Sequence, residues 1–286
     1  MRANPPRRPG RLTGPGGSYI LEPMTGRPLK LLQITDCHLF ADPEASLLGV
    51  PTEESLEAVL AAVAKDRFDF VLLTGDLTQD GSPEAYRRLR RRLAAMGAPW
   101  AWLPGNHDDP AAMADCLQEA GQPVAREAVV GDWVVILLDS TVPGSDAGRL
   151  GEGELARLDR RLAEHARRHA LVALHHHPVD MGTAWLGPIG LDDGAAFQEV
   201  VRRHDNVRAV VWGHVHQAFE VQRDGRWWMS APSTCFQFKP RTREFALDEL
   251  PPGWRELELG ADGGVRSRVG RVRDFRVTLD TAAGGY

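Results

Sequence analysis

Cysteine is scarce in this chain, and long apolar runs are absent. The three cysteines, Cys37, Cys116 and Cys235, are too few and too far apart for a disulfide framework or a thiolate zinc site, which fits a reducing compartment. No apolar stretch approaches the roughly 20 residues that a membrane-spanning helix requires. Residues 1–24 also lack the apolar run of a signal peptide. We therefore expect a cytoplasmic protein with no membrane partner.

Surplus positive charge is lacking as well. The formal net charge is −5, whereas a nucleic-acid partner requires clustered surplus cations to neutralise phosphates. The arginine-rich stretch 87–93 lies on a predicted helix that begins at Ser82 and Pro83, so a solvated helix face explains it better than a phosphate-binding patch. With 43% apolar and 26% charged residues among 286, the chain has the composition of a globular protein, and we expect no nucleic-acid partner.

Short apolar runs alternate with helical patterns through most of the chain. The predicted strands are 28–35, 68–74, 99–104, 132–139, 170–175 and 207–212. The predicted helices are 52–66, 83–96, 110–120, 153–168 and 194–203, with Thr52, Ser82 and Asp109 as caps. This alternation predicts an α/β fold. Strand-like pieces after residue 216 are expected to extend or close a second sheet, and residues 1–27, basic and rich in Pro and Gly, are expected to be a disordered tail.

Side chains that can hold a metal follow five of the predicted strands. The five groups are Asp36-Cys37-His38, Gly75-Asp76, Gly105-Asn106-His107-Asp108, His175-His176-His177 and Gly213-His214-Val215-His216. Each group alone is more often a polar strand end, a turn or a hydrogen-bonded histidine. The carboxyl ends of strands in an open α/β sheet share one edge, so these groups can converge. Unpaired buried polar groups cost roughly 1–3 kcal/mol each, and a metal would supply the missing partner. Oxygen and imidazole ligands suit Fe, Mn or Zn.

Taken in order, these groups resemble the motifs of the calcineurin-like metallophosphoesterases: D-x-H, G-D, G-N-H-D/E, a histidine before a proline, and G-H-x-H. Within that superfamily the chain is similar to the class III bacterial 3',5'-cyclic AMP phosphodiesterases. The similar segments are LLQITDCHLFADPEASLLGV, TGDLTQD, LHHHP, GHVHQ, PSTCFQFKP and PPGWRELELGADG. The resemblance covers nearly everything after about residue 28. It implies one metallophosphoesterase domain, 28–286, folded as a two-sheet α/β sandwich in the layer order α/β/β/α.

The resemblance also implies a set of metal ligands for two divalent ions, Fe or Mn with Zn as an alternative. These ligands are Asp36, His38, Asp76, Asn106, His176, His214 and His216. Asp76 would bridge both ions. Asp36, His38 and His216 would complete one site, and Asn106, His176 and His214 the other. His176 is chosen because it stands two places before the proline; strand alternation would then point His175 and His177 away from the metals. Cys37 is expected to pack behind the site.

The activity implied is hydrolysis of 3',5'-cyclic AMP to 5'-AMP by a metal-bridging hydroxide. A bound metal can lower the pKa of water from about 15.7 to about 7, which makes hydroxide available at neutral pH. Asp76 and His107 are the expected catalytic residues, and His107 would stabilise the phosphoryl oxygens and protonate the leaving 3' oxygen. Substrate contacts are expected from His38, Asn106, His107 and His216. Asp108 would either orient His107 or cap the helix after Pro110.

The sequence leaves substrate choice open. Trp185, Phe236 or Phe238 would stack on a purine, or each would pack in the core or a loop. A broader phosphodiesterase acting on 2',3'-cyclic nucleotides or linear diesters such as glycerophosphodiesters is the alternative enzyme. A binding scaffold that has lost its metals is a further alternative, although every expected ligand position carries a competent side chain. The oligomeric state is not indicated by the sequence.

Overall fold

The computed structural model describes residues 18–21, 27–117 and 126–280. Its strands are β1 (Ser18–Leu21), β2 (Leu29–Ile34), β3 (Ser46–Leu47), β4 (Val50–Pro51), β5 (Phe70–Thr74), β6 (Trp100–Leu103), β7 (Glu127–Val130), β8 (Trp133–Leu137), β9 (His169–Ala173), β10 (Val207–Trp212), β11 (Phe219–Arg223), β12 (Arg226–Ser230), β13 (Gln237–Phe238), β14 (Leu247–Asp248), β15 (Gly253–Leu259) and β16 (Val265–Arg271). Its helices are α1 (Thr52–Val63), α2 (Pro83–Met96), α3 (Pro110–Leu117), α4 (Gly151–Glu164), α5 (Gly194–Arg202) and a 3₁₀ helix, Ala184–Ile189.

Two sheets make up the centre of the molecule. The larger has seven strands in the order β1-β7-β8-β9-β10-β12-β11, and the smaller has five in the order β16-β15-β2-β5-β6. Strands β2, β5 and β6 are mutually parallel, as are β8, β9, β10 and β12. Two short antiparallel pairs, β3-β4 and β13-β14, lie outside these sheets. Parallel neighbours end at the same sheet edge, which sets up a shared site there.

The core has three layers of apolar contact. Alternate residues of β2 point to opposite faces, so Leu31 joins the cluster between the sheets while Leu32 joins the cluster beneath α1 and α2. From the other sheet, Val135 faces the inter-sheet cluster and Val134 packs with α4 and α5. The layer order is therefore α/β/β/α, which confirms the predicted sandwich.

The C-terminal third differs from the rest because its strands join both sheets. Strands β11 and β12 form a hairpin that extends the seven-stranded sheet, and its Asp-Gly turn places Asp224 and Gly225 at φ values of 51° and 72°. Strands β15 and β16 form a second hairpin that pairs with β2 in the five-stranded sheet. The predicted extension of a second sheet is thus confirmed, and it is shared between two sheets.

Three local predictions have mixed outcomes. Asp109 caps α3, since its Oδ1 accepts hydrogen bonds from the backbone N–H groups of Ala111 and Ala112. Ser82 occupies the N-cap position of α2 but makes no side-chain capping bond, and Thr52 is the first residue of α1 and not its cap.

Strand β1 lies inside the segment predicted as a disordered tail and pairs with β7. The remainder of that prediction, apart from residue 27, lies outside the described residues. Among the helices described, none has the length and apolarity to cross a membrane.

Candidate metal centre

The five predicted groups meet at one end of the two sheets. Asp36 and His38 follow β2, Asp76 follows β5 and Asn106 follows β6, all in the five-stranded sheet, while the histidine groups follow β9 and β10 in the seven-stranded sheet. The structure brings all seven predicted ligands together. Asn106 is half-buried. The other six are completely buried: Asp36, His38, Asp76, His176, His214 and His216.

The ligand atoms form two groups with Asp76 between them. In one group, atoms of Asp36, His38 and His216 lie within 4.8 Å of one another, and the other contains His176 and His214 at the same spacing, together with His175. Asp76 contacts both sides, because its Oδ2 lies 4.0 Å from His38 Nε2 and 3.2 Å from His175 Nε2. This arrangement matches two neighbouring ion positions that share a carboxylate.

Several of these buried atoms have no hydrogen-bond partner among the described residues. They are Asp76 Oδ2, His176 Nε2, and both ring nitrogens of His214. Buried polar atoms are nearly always satisfied in folded proteins, because each orphaned group costs roughly 1–3 kcal/mol. A carboxylate oxygen and imidazole nitrogens aimed at one space are the ligand types of borderline divalent metals. The residues present therefore fit a pair of such ions.

The charge states of these groups also suit metal binding. Burial lowers the pKa of His38 to about 3, and burial with the neighbouring His175 or His176 holds the pKa values of His176 and His214 well below the ordinary range. These three imidazoles are neutral at pH 7, the form that coordinates metal. Burial would raise the pKa of Asp76, but the charge of His175, whose Nε2 lies 3.2 Å from Asp76 Oδ2, outweighs burial and holds that pKa well below its usual range. Asp76 is thus ionised.

His175 departs from the sequence-based expectation. The strand ends at Ala173, so the alternation that would turn His175 away does not apply, and both His175 and His176 face the cluster. His175 Nδ1 lies 2.8 Å from the carbonyl oxygen of Thr74, and its Nε2 lies 3.2 Å from Asn106 Oδ1. Burial alone would lower the pKa of His175, but the Asp76 carboxylate reverses this and raises it to about 9.

His176 is held differently. Its Nδ1 forms a 2.8 Å hydrogen bond with Ser140 Oγ, which leaves Nε2 as the atom directed at the cluster. Such a bond to the outer nitrogen fixes the orientation of a ligating imidazole. His177 is buried and stacks on His214 with ring centroids 5.8 Å apart. The assignment of His176 as the ligand stays a prediction, supported by this orientation.

His107 lies at the mouth of the cluster. Its backbone N–H donates a 3.0 Å hydrogen bond to Asp76 Oδ1, which fixes the loop after β6 against the proposed bridging carboxylate. Its ring centroid lies 5.2 Å from that of His38. One of its ring nitrogens lies within 4.8 Å of a ring nitrogen of His38 and of a carboxylate oxygen of Asp76. The side chain is half-buried, so it can reach a substrate as well as the cluster.

Asp108 has a role that sequence reasoning missed. Its carboxylate accepts backbone hydrogen bonds from Leu77, Thr78 and Gly105 and a 2.8 Å bond from the hydroxyl of Tyr86. It thereby ties the loop after β5 to the loop after β6. The helix-cap interpretation of Asp108 is wrong, because Asp109 caps α3. The interpretation of Asp108 as an orienting partner of His107 stays a prediction. The pairing with Tyr86 depends on α2 packing beneath the site and has no local sequence signal.

The backbone of the site is strained. Of the eight described non-glycine residues with positive φ, five are predicted ligands: Asp36 (53°), His38 (48°), Asp76 (49°), His214 (68°) and His216 (44°). The left-handed conformation costs an L-residue roughly 1–2 kcal/mol. Such residues persist where the surrounding structure holds them, and they cluster at functional sites. A hydrogen bond between the two sheets helps to hold this conformation, since the backbone N–H of His214 donates to the carboxylate of Asp36 at 3.0 Å.

Glycine is required at one close approach. A Cβ at Gly105 would lie 2.1 Å from Asp76 Oδ1 and 2.7 Å from the ring of His175. Neither neighbour is free to retreat, because both are buried in the cluster. The glycine that opens the G-N-H-D motif therefore makes room for the proposed bridging carboxylate.

A cleft of about 340 Å³ opens onto the centre. Its lining residues are Asn106, His107, Asp146, Trp185, Ile189, His214 and Phe245. Of the three aromatic residues named from the sequence, only Trp185 lines it. Phe236 and Phe238 are 0% and 1% exposed and pack on His216 with ring centroids 4.6 Å and 4.5 Å apart, so the core interpretation is the correct one for these two. Phe245, 46% exposed, was not anticipated.

Comparison with known proteins finds relatives that are phosphoesterases. Residues 29–218 match the family model described as calcineurin-like phosphoesterase. The chain is 43% identical to the 3',5'-cyclic adenosine monophosphate phosphodiesterase of Escherichia coli (strain K12), over 94% of this chain and 99% of that one. It is 42% identical to the protein of the same name from Pseudomonas aeruginosa, over 92% of this chain and 97% of that one. A dimetal phosphatase from Danio rerio has a similar fold, with a TM-score of 0.58 and 16% identity, covering 86% of this chain and 100% of that one.

Proposed function

Since this chain belongs to the calcineurin-like phosphoesterase family, we propose that it acts as a metal-dependent phosphodiesterase that hydrolyses 3',5'-cyclic AMP to 5'-AMP. The observation that carries the proposal is the buried cluster of carboxylate, amide and imidazole groups, with orphaned ligand atoms, at the base of an open cleft. The identity of 43% over nearly the whole of both chains supports the cyclic nucleotide as substrate.

Two divalent ions are proposed to be held by the seven residues predicted from the sequence, with Asp76 shared. When bound, such ions polarise the phosphodiester and raise the acidity of water. The chain's own contribution is to keep Asp76 ionised and the imidazoles of His38, His176 and His214 neutral, so that they bind without first losing a proton. The strained loops fix the ligand directions before substrate arrives.

His107 is proposed to act on the substrate from the cleft side. Its main-chain bond to Asp76 holds it beside the cluster, while its half-buried imidazole faces the space that a phosphate would occupy. The imidazole would stabilise the phosphoryl oxygens and deliver a proton to the leaving 3' oxygen. The leaving oxygen remains attached to the ribose, so the product is the 5'-monophosphate. His38, Asn106 and His216 are proposed as further contacts to the substrate.

Turnover of a substrate panel at equal metal occupancy tests this function. The panel contains 3',5'-cyclic AMP, a 2',3'-cyclic nucleotide, a glycerophosphodiester and bis(4-nitrophenyl) phosphate. We expect the highest kcat/KM for 3',5'-cyclic AMP. A higher value for the 2',3'-cyclic nucleotide or the linear diesters would replace the proposal with a broader phosphodiesterase, and no turnover by metal-loaded protein would leave only a binding function.

Chelation followed by metal replacement tests the cofactor. The proposed site contains four imidazoles, so Mn or Fe should restore activity better than Mg, whose preferred ligands are oxygen atoms. Zn is the remaining borderline metal that the ligand set suits. Full activity in metal-free protein would contradict the proposed site, and equal rescue by Mg would contradict the role given to the imidazoles.

The proposed location is the cytoplasm. Cys37, Cys116 and Cys235 are all buried and make no disulfide among the described residues, as expected in a reducing compartment. Cys37 packs in the apolar cluster beneath α1 and α2, behind the site, as the sequence predicted.

A further inference from the structure

Three apolar side chains line the cleft, and we call them the aromatic wall: Trp185, Ile189 and Phe245. Trp185 and Ile189 are half-buried, and Phe245 is 46% exposed, one of two large exposed apolar side chains in the described residues. Single exposed apolar residues need no special explanation, but a contiguous patch inside a cleft marks a binding surface.

The aromatic wall is assembled from the 3₁₀ helix Ala184–Ile189 and the loop that contains Phe245, and these two segments hydrogen-bond to each other. The backbone N–H of Ala184 donates to the carbonyl oxygen of Thr242 at 3.0 Å, and the N–H of Arg241 donates to Thr183 Oγ1, also at 3.0 Å. These bonds place Trp185 beside Phe245, with ring centroids 5.2 Å apart in an edge-to-face arrangement. The two segments that carry the wall are therefore tied together by hydrogen bonds.

Phe238 supports the wall from beneath and connects it to the metal centre. Its ring contacts Trp185 edge-to-face at 4.8 Å and Phe245 at 5.5 Å, and its other side stacks on the proposed ligand His216 at 4.5 Å. The wall thus lies two ring contacts from the centre. In a cyclic nucleotide, the base and the phosphate are attached to the same ribose. A phosphate at the centre therefore places the base at about the distance that separates the wall from the centre.

We infer that the aromatic wall is the base subsite, where the purine of the substrate stacks on the exposed ring of Phe245 and lies with its edge towards Trp185. This rests on the proposed phosphodiesterase function. Among the lining residues, those around the phosphate end are polar, while the wall presents flat apolar surface, which matches the two halves of a nucleotide. A purine has more stacking area than a pyrimidine, so the wall should favour a purine base.

Removing the exposed ring tests the subsite. Phe245→Ala should lower kcat/KM for 3',5'-cyclic AMP about 5- to 100-fold, the range expected from losing one base–aromatic stack. The kcat/KM for ribose 3',5'-cyclic phosphate, which has no base, should fall far less. The preference for cyclic AMP over cyclic CMP should shrink, and Phe245→Tyr should retain most of the wild-type value.

Leu250→Ala is the matched control, because Leu250 is 45% exposed and does not line the cleft. It should leave kcat/KM for both substrates unchanged. Trp185→Phe is a second variant that keeps an aromatic ring in the wall and should show a smaller loss than Phe245→Ala. Metal content and thermal midpoint, measured for each variant, show that the fold and the centre are intact.

Two results would overturn the inference: equal losses on the cyclic nucleotide and the base-free substrate, or no loss on either. Both are distinct from failure of the proposed function, in which the wild-type enzyme itself would prefer another diester over cyclic AMP. A wild-type enzyme that turns over cyclic AMP with Phe245→Ala unaffected would remove the subsite and leave the function standing.

Discussion

Two buried polar bridges join the sheets, and they differ in one respect. The first is Arg255 of β15, which is 1% exposed and reaches across to β11 and β12. Its guanidinium donates to the carbonyl oxygens of Ser230 and Phe219, to the carboxylate of Glu220, and to Ser267 Oγ. Each of its three nitrogens has a partner, so this bridge is complete with protein atoms alone.

The second bridge is the metal centre, where the same two sheets meet through Asp76, His176 and His214. In residues 18–21, 27–117 and 126–280, four nitrogen and oxygen atoms of these side chains find no hydrogen-bond partner. A satisfied buried polar group serves the fold, while a set of unsatisfied ones directed at the same space indicates a ligand that completes it. The experiments below test that distinction.

Asp76→Ala should give the largest effect. It removes the group proposed to contact both ions, so kcat should fall by at least about 10³-fold, the scale of losing several kcal/mol of charge stabilisation. Metal content, measured by elemental analysis, should fall as well.

The comparison variants are Asp76→Asn, which preserves the side-chain shape, and His214→Ala, which removes a ligand of one ion. His214→Ala should cost less activity than Asp76→Ala. If Asp76→Asn or Asp76→Ala keeps both ions and near-normal turnover, Asp76 is not the bridge.

His107→Ala should give the next largest effect, and its size should depend on the leaving group. A ribose alkoxide needs a proton as it departs, whereas nitrophenolate does not, so cyclic AMP hydrolysis should slow by roughly 10²- to 10⁴-fold and bis(4-nitrophenyl) phosphate hydrolysis much less. Metal content should stay close to normal. Equal losses on both substrates would indicate phosphate binding, and loss of an ion would make His107 a ligand.

Arg255→Met should give the smallest effect on catalysis and a measurable effect on stability. It retains much of the apolar volume but removes the donor to the carbonyl oxygens of Ser230 and Phe219, at a cost of about 1–3 kcal/mol in the free energy of unfolding for each carbonyl left unsatisfied. Denaturant titration measures this loss. Metal content and kcat should remain near wild type; a loss of metal would show that the two bridges are coupled.

The fold was largely predictable because its signals are local. Buried parallel strands such as β5 and β10 read as continuous apolar runs, and helices such as α2 carry Pro at the start and a positive-φ Gly97 at the end. Strand β1 was not predicted, because its pairing with β7 spans about a hundred residues and leaves no periodic pattern in a Pro- and Gly-rich segment.

The candidate site was predictable as far as strand ends determine it. Asp36 and Asp76 follow neighbouring parallel strands of the five-stranded sheet, so topology alone brings them together. His214 follows a strand of the seven-stranded sheet and reaches them through the packing of the two sheets. The orientation of His175 was not predictable, because it depends on where β9 ends. The exposure of Phe245 depends on how its loop packs against the distant 3₁₀ helix Ala184–Ile189, which the sequence does not encode in any short pattern.

The left-handed backbone at Asp36 and Asp76 has a consequence for how the gene can change. A single-nucleotide substitution converts an aspartate codon into a glycine codon, and glycine adopts this backbone without steric cost. Such a mutant would fold with less strain than its parent and would lack a proposed metal ligand. The same mutant would leave the backbone N–H of His214 or His107 without the carboxylate that accepts it, so the relief of strain is offset, and an aspartate at these two positions serves the fold as well as turnover.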